Sequence, residues 1–171
     1  MCRSLVERMA RAASAVCVSL MASLATTALA TSLNCWSAAA TQYDLPVELL
    51  YAIAWVESRH DPDATAHAPD GTRSIGLMQV NSSWFPRLQE LGIGPQSLRE
   101  PCTNIHVGAW ILAQEVRRYG HTWKAIGAYY AGAYTKRTES KKLRHYRVYA
   151  ARVLSAWRRI RQQARQRVDP Q

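Results

Sequence analysis

Apolar residues recur at intervals of three and four along most of this chain, which is the spacing of amphipathic helices. The pattern predicts a short helix over residues 35–43, a second from Pro46 to Arg59, and a third from Pro101 to Tyr119, which Gly120 ends. A last helix shows the most regular pattern, with polar and basic residues on its other faces. Its apolar positions are Leu143, Tyr146, Ala150, Val153, Trp157 and Ile160.

The segments between these helices are polar or short. Residues 59–74 contain Pro62 and the Asp70-Gly71 pair, which predicts a long loop with a tight turn. A short helix is predicted over residues 84–91, capped by Ser82 or Ser83. No stretch alternates between apolar and polar residues for long enough to predict a strand. We therefore predict an all-α domain.

The first residues have the composition of a secretory signal peptide. Arg3, Arg8 and Arg11 precede an uncharged run that ends in Ala28-Leu29-Ala30. We expect cleavage after Ala30; the alternative is an uncleaved membrane anchor. The expected parts are a signal peptide over 1–30, a domain over 31–161 and a basic tail over 162–171.

Two of the chain's four cysteines, Cys35 and Cys102, follow the predicted signal peptide. Export leads to an oxidising compartment, where two cysteines favour a single disulfide. The alternative is a pair of buried free thiols.

The net charge of +10 is concentrated at the C-terminal end. From Lys136 onward the chain holds 12 Lys and Arg residues and 2 acidic residues. Residues 31–135 hold 7 Lys and Arg residues and 9 acidic residues. This basic segment is either a solvated surface or a weak contact with anionic wall polymers or lipid head groups. Export argues against a nucleic-acid partner.

One acidic residue, Glu57, falls on the apolar stripe of the second predicted helix. Leu50, Ile53 and Ala54 precede it by seven, four and three positions, so all four share one face. Burial on such a face disfavours a carboxylate and raises its pKa, which suits a proton donor near neutral pH. The alternative is a partly exposed glutamate in the last turn before Pro62.

Four short motifs occur in order along the predicted domain: Glu57-Ser58, Gly76-Leu77-Met78-Gln79, Asn104-Ile105 ahead of Gly108-Ala109, and Ala128-Tyr129-Tyr130-Ala131-Gly132. Together they resemble the soluble lytic transglycosylase family, over residues 35–153. The resemblance implies a lysozyme-like helical fold of the goose-type kind. It also implies an enzyme that cleaves the β-1,4 bond between N-acetylmuramic acid and N-acetylglucosamine in peptidoglycan. The expected signal peptide would export this enzyme to the periplasm.

The resemblance assigns Glu57 as the catalytic acid, which later serves as base. Ser58 would orient the carboxyl or a sugar, or bond its own helix backbone instead. Gln79 would offer a donor and an acceptor to sugar groups. Asn104 is either a sugar contact or a helix cap.

The two tyrosines of the last motif differ in their fit to the family. Tyr129 matches the family tyrosine near the scissile bond, able to bond the N-acetyl group or Glu57, unless it is a core aromatic residue. Tyr130 stands where the family usually has Asn, so one polar sugar contact is replaced by an aromatic ring that could stack on a sugar.

The chain is most similar to the small, specialised family members that accompany type III secretion, type IV pilus or conjugation machines. These also have a cysteine ahead of the Glu helix, a Gly-Leu-Met-Gln-Ile/Val-Asn string and a Pro-Cys pair, here Cys35, residues 76–81 and Pro101-Cys102. The resemblance implies a local role in opening the wall for such a machine. We also expect a monomer without a cofactor.

Glycosidases commonly use two carboxylates, and Asp61, Asp63 and Asp70 are the candidates for a second one. The family's single acid instead fits a substrate whose acetamido group assists, with 1,6-anhydro ends as product. A hydrolytic muramidase and a non-catalytic assembly protein remain the alternatives. The histidines show no metal-ligand spacing, and no phosphate-binding loop is present. These histidines are His60, His67, His106, His121 and His145.

Overall fold

The computed structural model describes residues 34–131 and 140–168. The expected signal peptide and Lys136, where the basic segment begins, lie outside the described residues. Helices account for most of the described chain, as predicted. They are α1 over residues 34–43, α2 Val47–Ser58, α3 Phe85–Gln89, α4 Pro101–Tyr119, α5 Trp123–Ala131 and α6 Ser140–Val168. Short 3-10 turns occupy Ser82–Trp84 and Ser97–Arg99.

A small antiparallel sheet lies within the region that was predicted to lack strands. Its strands are β1 (Thr65–His67), β2 (Arg73–Ile75) and β3 (Val80–Asn81), in that order across the sheet. Thr65 lies opposite Ile75, and Ile75 lies opposite Val80. Strands of two or three residues are too short to show an alternating pattern, so the prediction that this region lacks strands was wrong. The tight turn predicted at Asp70-Gly71 is present and joins β1 to β2.

Helix α2 carries the stripe that the sequence predicts. Leu50, Ile53 and Ala54 are fully buried. The helix ends at Ser58 because Arg59 adopts a left-handed φ of 59°, which lets the His60 amide donate to the Ala54 carbonyl oxygen. The end of the helix is therefore set by this backbone turn, ahead of Pro62.

Helix α6 packs its apolar stripe against α2 and α5. Tyr146 is fully buried, and it lies against Gly127 so closely that a Cβ there would be 2.5 Å from its ring. Ala150 and Val153 continue the buried stripe, which confirms the predicted pattern. The main core of the domain thus surrounds α2.

A second apolar cluster lies between the sheet and α4. Its buried members are Ile75, Val80, Leu88, Leu98, Val107 and Ile111.

The 3-10 turn that follows β3 is capped by the side chain of Asn81, which accepts a hydrogen bond from the Ser83 amide at 2.9 Å. Asn81 is therefore the cap in place of the predicted Ser82 or Ser83.

The C-terminal tail predicted from Gln162 onward is helical as far as Val168. Its Gln, Arg and Ala residues have high helix propensity, so α6 continues past the last core contact. The Arg161 guanidinium lies 5.6 Å from the centre of the Trp157 ring, which adds a side-chain contact one turn earlier.

Among the described helices, none has the length and apolar content needed to cross a bilayer.

Cys35 and Cys102 form the predicted disulfide, with their Cα atoms 5.3 Å apart and a sequence separation of 67. The bond joins α1 to the first turn of α4. It thereby closes a loop that contains α2 and the whole sheet.

Reduction of this disulfide is expected to lower the free energy of unfolding by about 4 kcal/mol, because a long loop regains its freedom in the unfolded chain. Urea unfolding with and without reductant measures the change. A Cys35→Ser/Cys102→Ser double variant is the control, since its midpoint should not respond to reductant. Equal midpoints for the oxidised and reduced wild-type protein would contradict this expectation.

Candidate active site

A cleft of about 610 Å³ lies between the sheet and α5. Four of the predicted site residues line it, and two do not. Those that line it are Glu57, Gln79, Tyr129 and Tyr130. Ser58 and Asn104 do not line the cleft, and their side chains form hydrogen bonds with backbone groups behind it.

Glu57 is held in the cleft by the last turn of α2. Burial raises the pKa of its carboxyl from 4.5 to about 7. The Tyr149 hydroxyl donates a hydrogen bond to Glu57 Oε1 at 2.5 Å, and this bond and the positive charge of Arg152 both oppose the rise. A substantial fraction of the Glu57 carboxyl is therefore protonated near neutral pH.

Tyr149 was missed by the sequence analysis. It is buried on α6, and burial together with the nearby Glu57 carboxylate raises its pKa well above 10. Its hydroxyl therefore remains a proton donor at neutral pH. The signal was present, because Tyr149 stands three positions after Tyr146 and four before Val153 on the buried stripe.

The turn formed by Gly76–Gln79 is the point on which three predicted site residues converge. Ser58 Oγ donates to the Leu77 carbonyl at 2.8 Å. Asn104 Oδ1 accepts from the Met78 amide at 2.8 Å. The Tyr129 hydroxyl donates to the Met78 carbonyl at 2.7 Å. These side chains come from α2, α4 and α5, so the turn is fixed from three helices.

Asn104 differs most from its predicted role. It is buried, and its Nδ2 donates to the carbonyl oxygens of Ile75 and Leu98, both at 2.8 Å. With Oδ1 on Met78, every atom of its amide group is engaged by backbone, so it neither contacts the cleft nor caps α4. The predicted sugar contact is replaced by a positioning role for the turn.

Two glycines let these groups approach one another. A Cβ on Gly76 would lie 2.3 Å from Asn104 Nδ2, and one on Gly108 would lie 2.5 Å from Met78 Sδ. Gly76 also has a φ of 78°. Close approach therefore explains the Gly76 and Gly108 positions in the second and third motifs.

Ser58 joins the end of α2 to the turn. Besides its bond to Leu77, its hydroxyl accepts from the Asp61 amide at 3.1 Å and lies 3.3 Å from the Ala54 carbonyl. The predicted alternative of a bond to its own helix is thus a minor contact. Ser58 positions the segment that bears Glu57 without entering the cleft.

Gln79 presents one atom to the cleft. Its Nε2 donates to the carbonyl oxygens of Ala64 at 3.1 Å and of Gly76 at 2.9 Å. Both partners are acceptors, so the amide nitrogen must face them and Oε1 is left for a ligand. The residue holds a left-handed φ of 47°, which is costly for a non-glycine residue. The predicted donor and acceptor pair is reduced to an acceptor.

Tyr130 is the most exposed aromatic residue of the cleft, with 56% of its surface accessible. Its ring stacks on that of Tyr149, with centroids 4.7 Å apart and planes at 16°. Tyr130 therefore covers the residue that bonds Glu57 and offers its other ring face to a ligand.

Among the other described acids, Asp70 is the one that lines the cleft. It lies in the β1–β2 turn and accepts bonds from the Thr72 amide at 3.0 Å and hydroxyl at 2.7 Å, which lower its pKa. Asp61 and Asp63 do not line the cleft, and Asp61 accepts a hydrogen bond from the Asp63 amide.

Within residues 34–131 and 140–168, no cluster of three metal-ligating side chains occurs.

Comparisons with known proteins agree with this geometry. The sequence model of the transglycosylase SLT domain matches residues 34–149. The chain is 40% identical over 129 residues to invasion protein IagB of Salmonella typhimurium, covering 75% of this chain and 78% of the relative. It is 38% identical over 122 residues to X polypeptide of Escherichia coli, covering 68% and 72%. With protein IpgF of Shigella flexneri the identity is 34% over 134 residues, covering 78% and 85%.

A solved structure with a similar fold is the X-ray structure of an inactive mutant of lytic transglycosylase Slt from Pseudomonas aeruginosa. It has 25% sequence identity and a TM-score of 0.55, over 71% of this chain and 22% of that chain. The matched domain includes Glu57, the Gly76–Gln79 turn and Tyr149. The chain therefore belongs to the transglycosylase SLT family and has its lysozyme-like fold.

Proposed function

We propose that this protein is a peptidoglycan lytic transglycosylase that cleaves the β-1,4 bond after N-acetylmuramic acid and leaves a 1,6-anhydro end. The observation that supports this most is the Glu57 carboxyl, which is protonatable near neutral pH in a cleft lined by Gln79 and Tyr130. The other acid that lines the cleft, Asp70, has a lowered pKa and is engaged by its own turn.

In the first step, protonated Glu57 donates its proton to the glycosidic oxygen. The bond from the anomeric carbon to that oxygen breaks, and the electron pair leaves with the oxygen. The substrate's own acetamido oxygen stabilises the positive charge that develops at the anomeric carbon. The Tyr149 hydroxyl then stabilises the newly formed Glu57 carboxylate through the bond already present.

In the second step, the Glu57 carboxylate accepts the proton of the same sugar's 6-hydroxyl, and that oxygen bonds to the anomeric carbon. The attack is intramolecular, which gives it a large advantage in effective concentration over an external nucleophile. The Glu57 carboxyl is restored in its protonated form, and no water is consumed.

Sugar binding is proposed for the two residues that keep a free group in the cleft. Gln79 Oε1 would accept a hydrogen bond from a sugar hydroxyl or acetamido N–H. The open face of Tyr130 would stack on a sugar ring in place of the family's usual amide contact. The Tyr129 hydroxyl already donates its hydrogen to the Met78 carbonyl oxygen, so it could only accept a hydrogen bond from the sugar.

The same proposal places the mature protein in the periplasm, where it would open the wall locally for a secretion, pilus or conjugation machine. One relative, IagB, is named an invasion protein, and the similarity covers most of both chains. The exposed arginines of α6 would add a weak attraction to anionic surfaces.

Glu57→Gln is expected to lower the rate of sacculus digestion by roughly 100- to 10,000-fold, because the proton donor is lost. Glu48→Gln removes an acid from the first turn of the same helix and is the matched control, with unchanged activity. Digestion by Glu57→Gln at a rate near wild type would contradict the catalytic assignment.

The Glu57→Gln protein should also be more stable than wild type above neutral pH. The unfolded chain releases the Glu57 proton near pH 4.5 and the folded chain near pH 7, so wild-type stability falls as pH rises through that window. The wild-type protein loses at most about 3 kcal/mol of its free energy of unfolding in this way, and the variant does not. Urea unfolding at pH 4 and pH 8 tests the sign, and equal stability of both proteins at pH 8 would contradict it.

Tyr149→Phe is expected to lower the maximal rate and to shift the alkaline limb of the pH profile upward by about one unit. Without the donor the Glu57 carboxylate is less stable, so its pKa rises and the protonated form persists to higher pH. Tyr43→Phe, on α1 away from the cleft, is the control. A lower rate with an unmoved alkaline limb would indicate a structural role only.

Digested sacculi are expected to carry muramic acid ends that are lighter by one water than hydrolysed ends. Mass spectrometry of the released fragments measures this directly. Predominantly hydrated, reducing ends would identify a muramidase and make Asp70 the candidate for positioning water. No cleavage by folded, wall-bound protein would favour the non-catalytic assembly protein.

A further inference from the structure

A second concave surface lies between α2 and α6 and contains three arginines. We call it the arginine groove; its volume is about 460 Å³. It is lined by Trp55 of α2, by Arg59 directly after that helix, and by Val148, Arg152 and Arg159 of α6. The remaining lining side chains are small or neutral, and none of the lining residues is acidic.

The groove combines apolar surface with positive charge. Trp55 is 37% exposed and Val148 is 53% exposed, so the groove presents two large apolar side chains to solvent. The Arg59 guanidinium lies 4.7 Å from the centre of the Trp55 ring. The ion pairs of the described residues include neither Arg59, Arg152 nor Arg159. The groove therefore offers an apolar wall together with three guanidinium groups that are outside the ion pairs of the described residues, although Arg152 also interacts with the Glu57 carboxyl.

The groove is separate from the catalytic cleft. The two share no lining residue. Val56 lines the groove and Glu57 the cleft, and successive residues point about 100° apart around a helix. The two surfaces therefore occupy adjacent faces of α2, so an occupant of the groove would leave the cleft open to a glycan strand.

We propose that the arginine groove is the docking site for an acidic segment of a partner protein, in which carboxylates flank an aromatic or aliphatic side chain. Charge complementarity supports this occupant, since guanidinium groups bind carboxylates in paired hydrogen bonds. The apolar wall of Trp55 and Val148 requires an apolar side chain between the carboxylates. A concave groove of this volume fits inserted side chains better than a flat bilayer surface.

Arg152 connects the groove to the catalytic acid, and this step rests on the proposed function. Its side chain lines the groove, and it follows Tyr149, whose hydroxyl bonds Glu57, by three positions on α6, so the two side chains lie on the same side of that helix. The positive charge of Arg152 also lowers the pKa of Glu57. Among the described residues, the other titratable groups that interact with Glu57 are the Tyr149 hydroxyl on α6 and the Tyr129 hydroxyl on α5, whose raised pKa values keep both protonated. A carboxylate docked on Arg152 would offset the positive charge. More of the Glu57 carboxyl would then be protonated at a given pH.

Docking is tested with a short fluorescein-labelled peptide in which Asp and Glu flank a central Leu-Phe pair. Fluorescence anisotropy with wild-type protein should show saturable binding, weakened about tenfold or more by Arg159→Gln. Arg158→Gln removes the same charge from the neighbouring position outside the groove and should bind like wild type. Peptides with Asn and Gln for the acids, or with Ser-Ser for Leu-Phe, should bind much more weakly.

Three results would overturn the docking proposal. Equal weakening by Arg158→Gln and Arg159→Gln would show attraction to the whole basic helix. Equal binding of the Ser-Ser peptide would show that the apolar wall is not used. Binding of phosphatidylglycerol vesicles, lost in Arg159→Gln, without any binding of the acidic peptide would assign the groove to a membrane surface.

The connection to Glu57 is tested separately by the pH profile of sacculus digestion. Saturating acidic peptide should shift the alkaline limb to higher pH in wild type. Arg152→Gln should show the shift without peptide and no further shift with it. Peptide binding with an unmoved limb would overturn the connection and leave the docking site in place. Because binding is measured by anisotropy, failure of the proposed glycan cleavage would be seen independently of failure to dock.

Discussion

The backbone of the Gly76–Gln79 turn is the feature on which the site depends. The turn joins β2 to β3 and contains two left-handed residues, Gly76 at φ 78° and Gln79 at φ 47°. A non-glycine residue in this conformation costs on the order of 1–3 kcal/mol, so the surrounding structure must hold it there. Side chains from three helices do so, through bonds to the carbonyl of Leu77 and to both polar backbone groups of Met78.

Fixing this turn fixes both sides of the cleft at once. The Ser58 bond ties the turn to the end of α2, where Glu57 is, and the Gln79 conformation directs its amide to two carbonyl groups and leaves Oε1 for the substrate. The buried amide of Asn104 could not be replaced by an apolar side chain without leaving backbone groups of the turn unsatisfied. All four motifs therefore contribute to one supported turn.

The helices and the acid were predictable from the sequence because their signals are local and repeated. The stripe of Leu50, Ile53 and Ala54 indicates which face of α2 is buried, and it places Glu57 on that face. The strands were not predictable, since pairing between two- and three-residue segments depends on contacts across the chain. The role of Asn104 was missed for the same reason: a residue type states which bonds are available, and the fold determines the partners.

One carboxyl must both donate and accept a proton in the proposed reaction, and this limits how far its pKa can be shifted. Burial alone would hold Glu57 protonated, which suits donation to the leaving oxygen but weakens the carboxylate as a base. Tyr149 and Arg152 act in the opposite direction, by stabilising the charged form. A pKa of about 7 is the balance of these effects, so the same group is competent in both steps near neutral pH. Because both opposing residues lie on α6, the packing of that helix against α2 is a condition for catalysis as well as for stability.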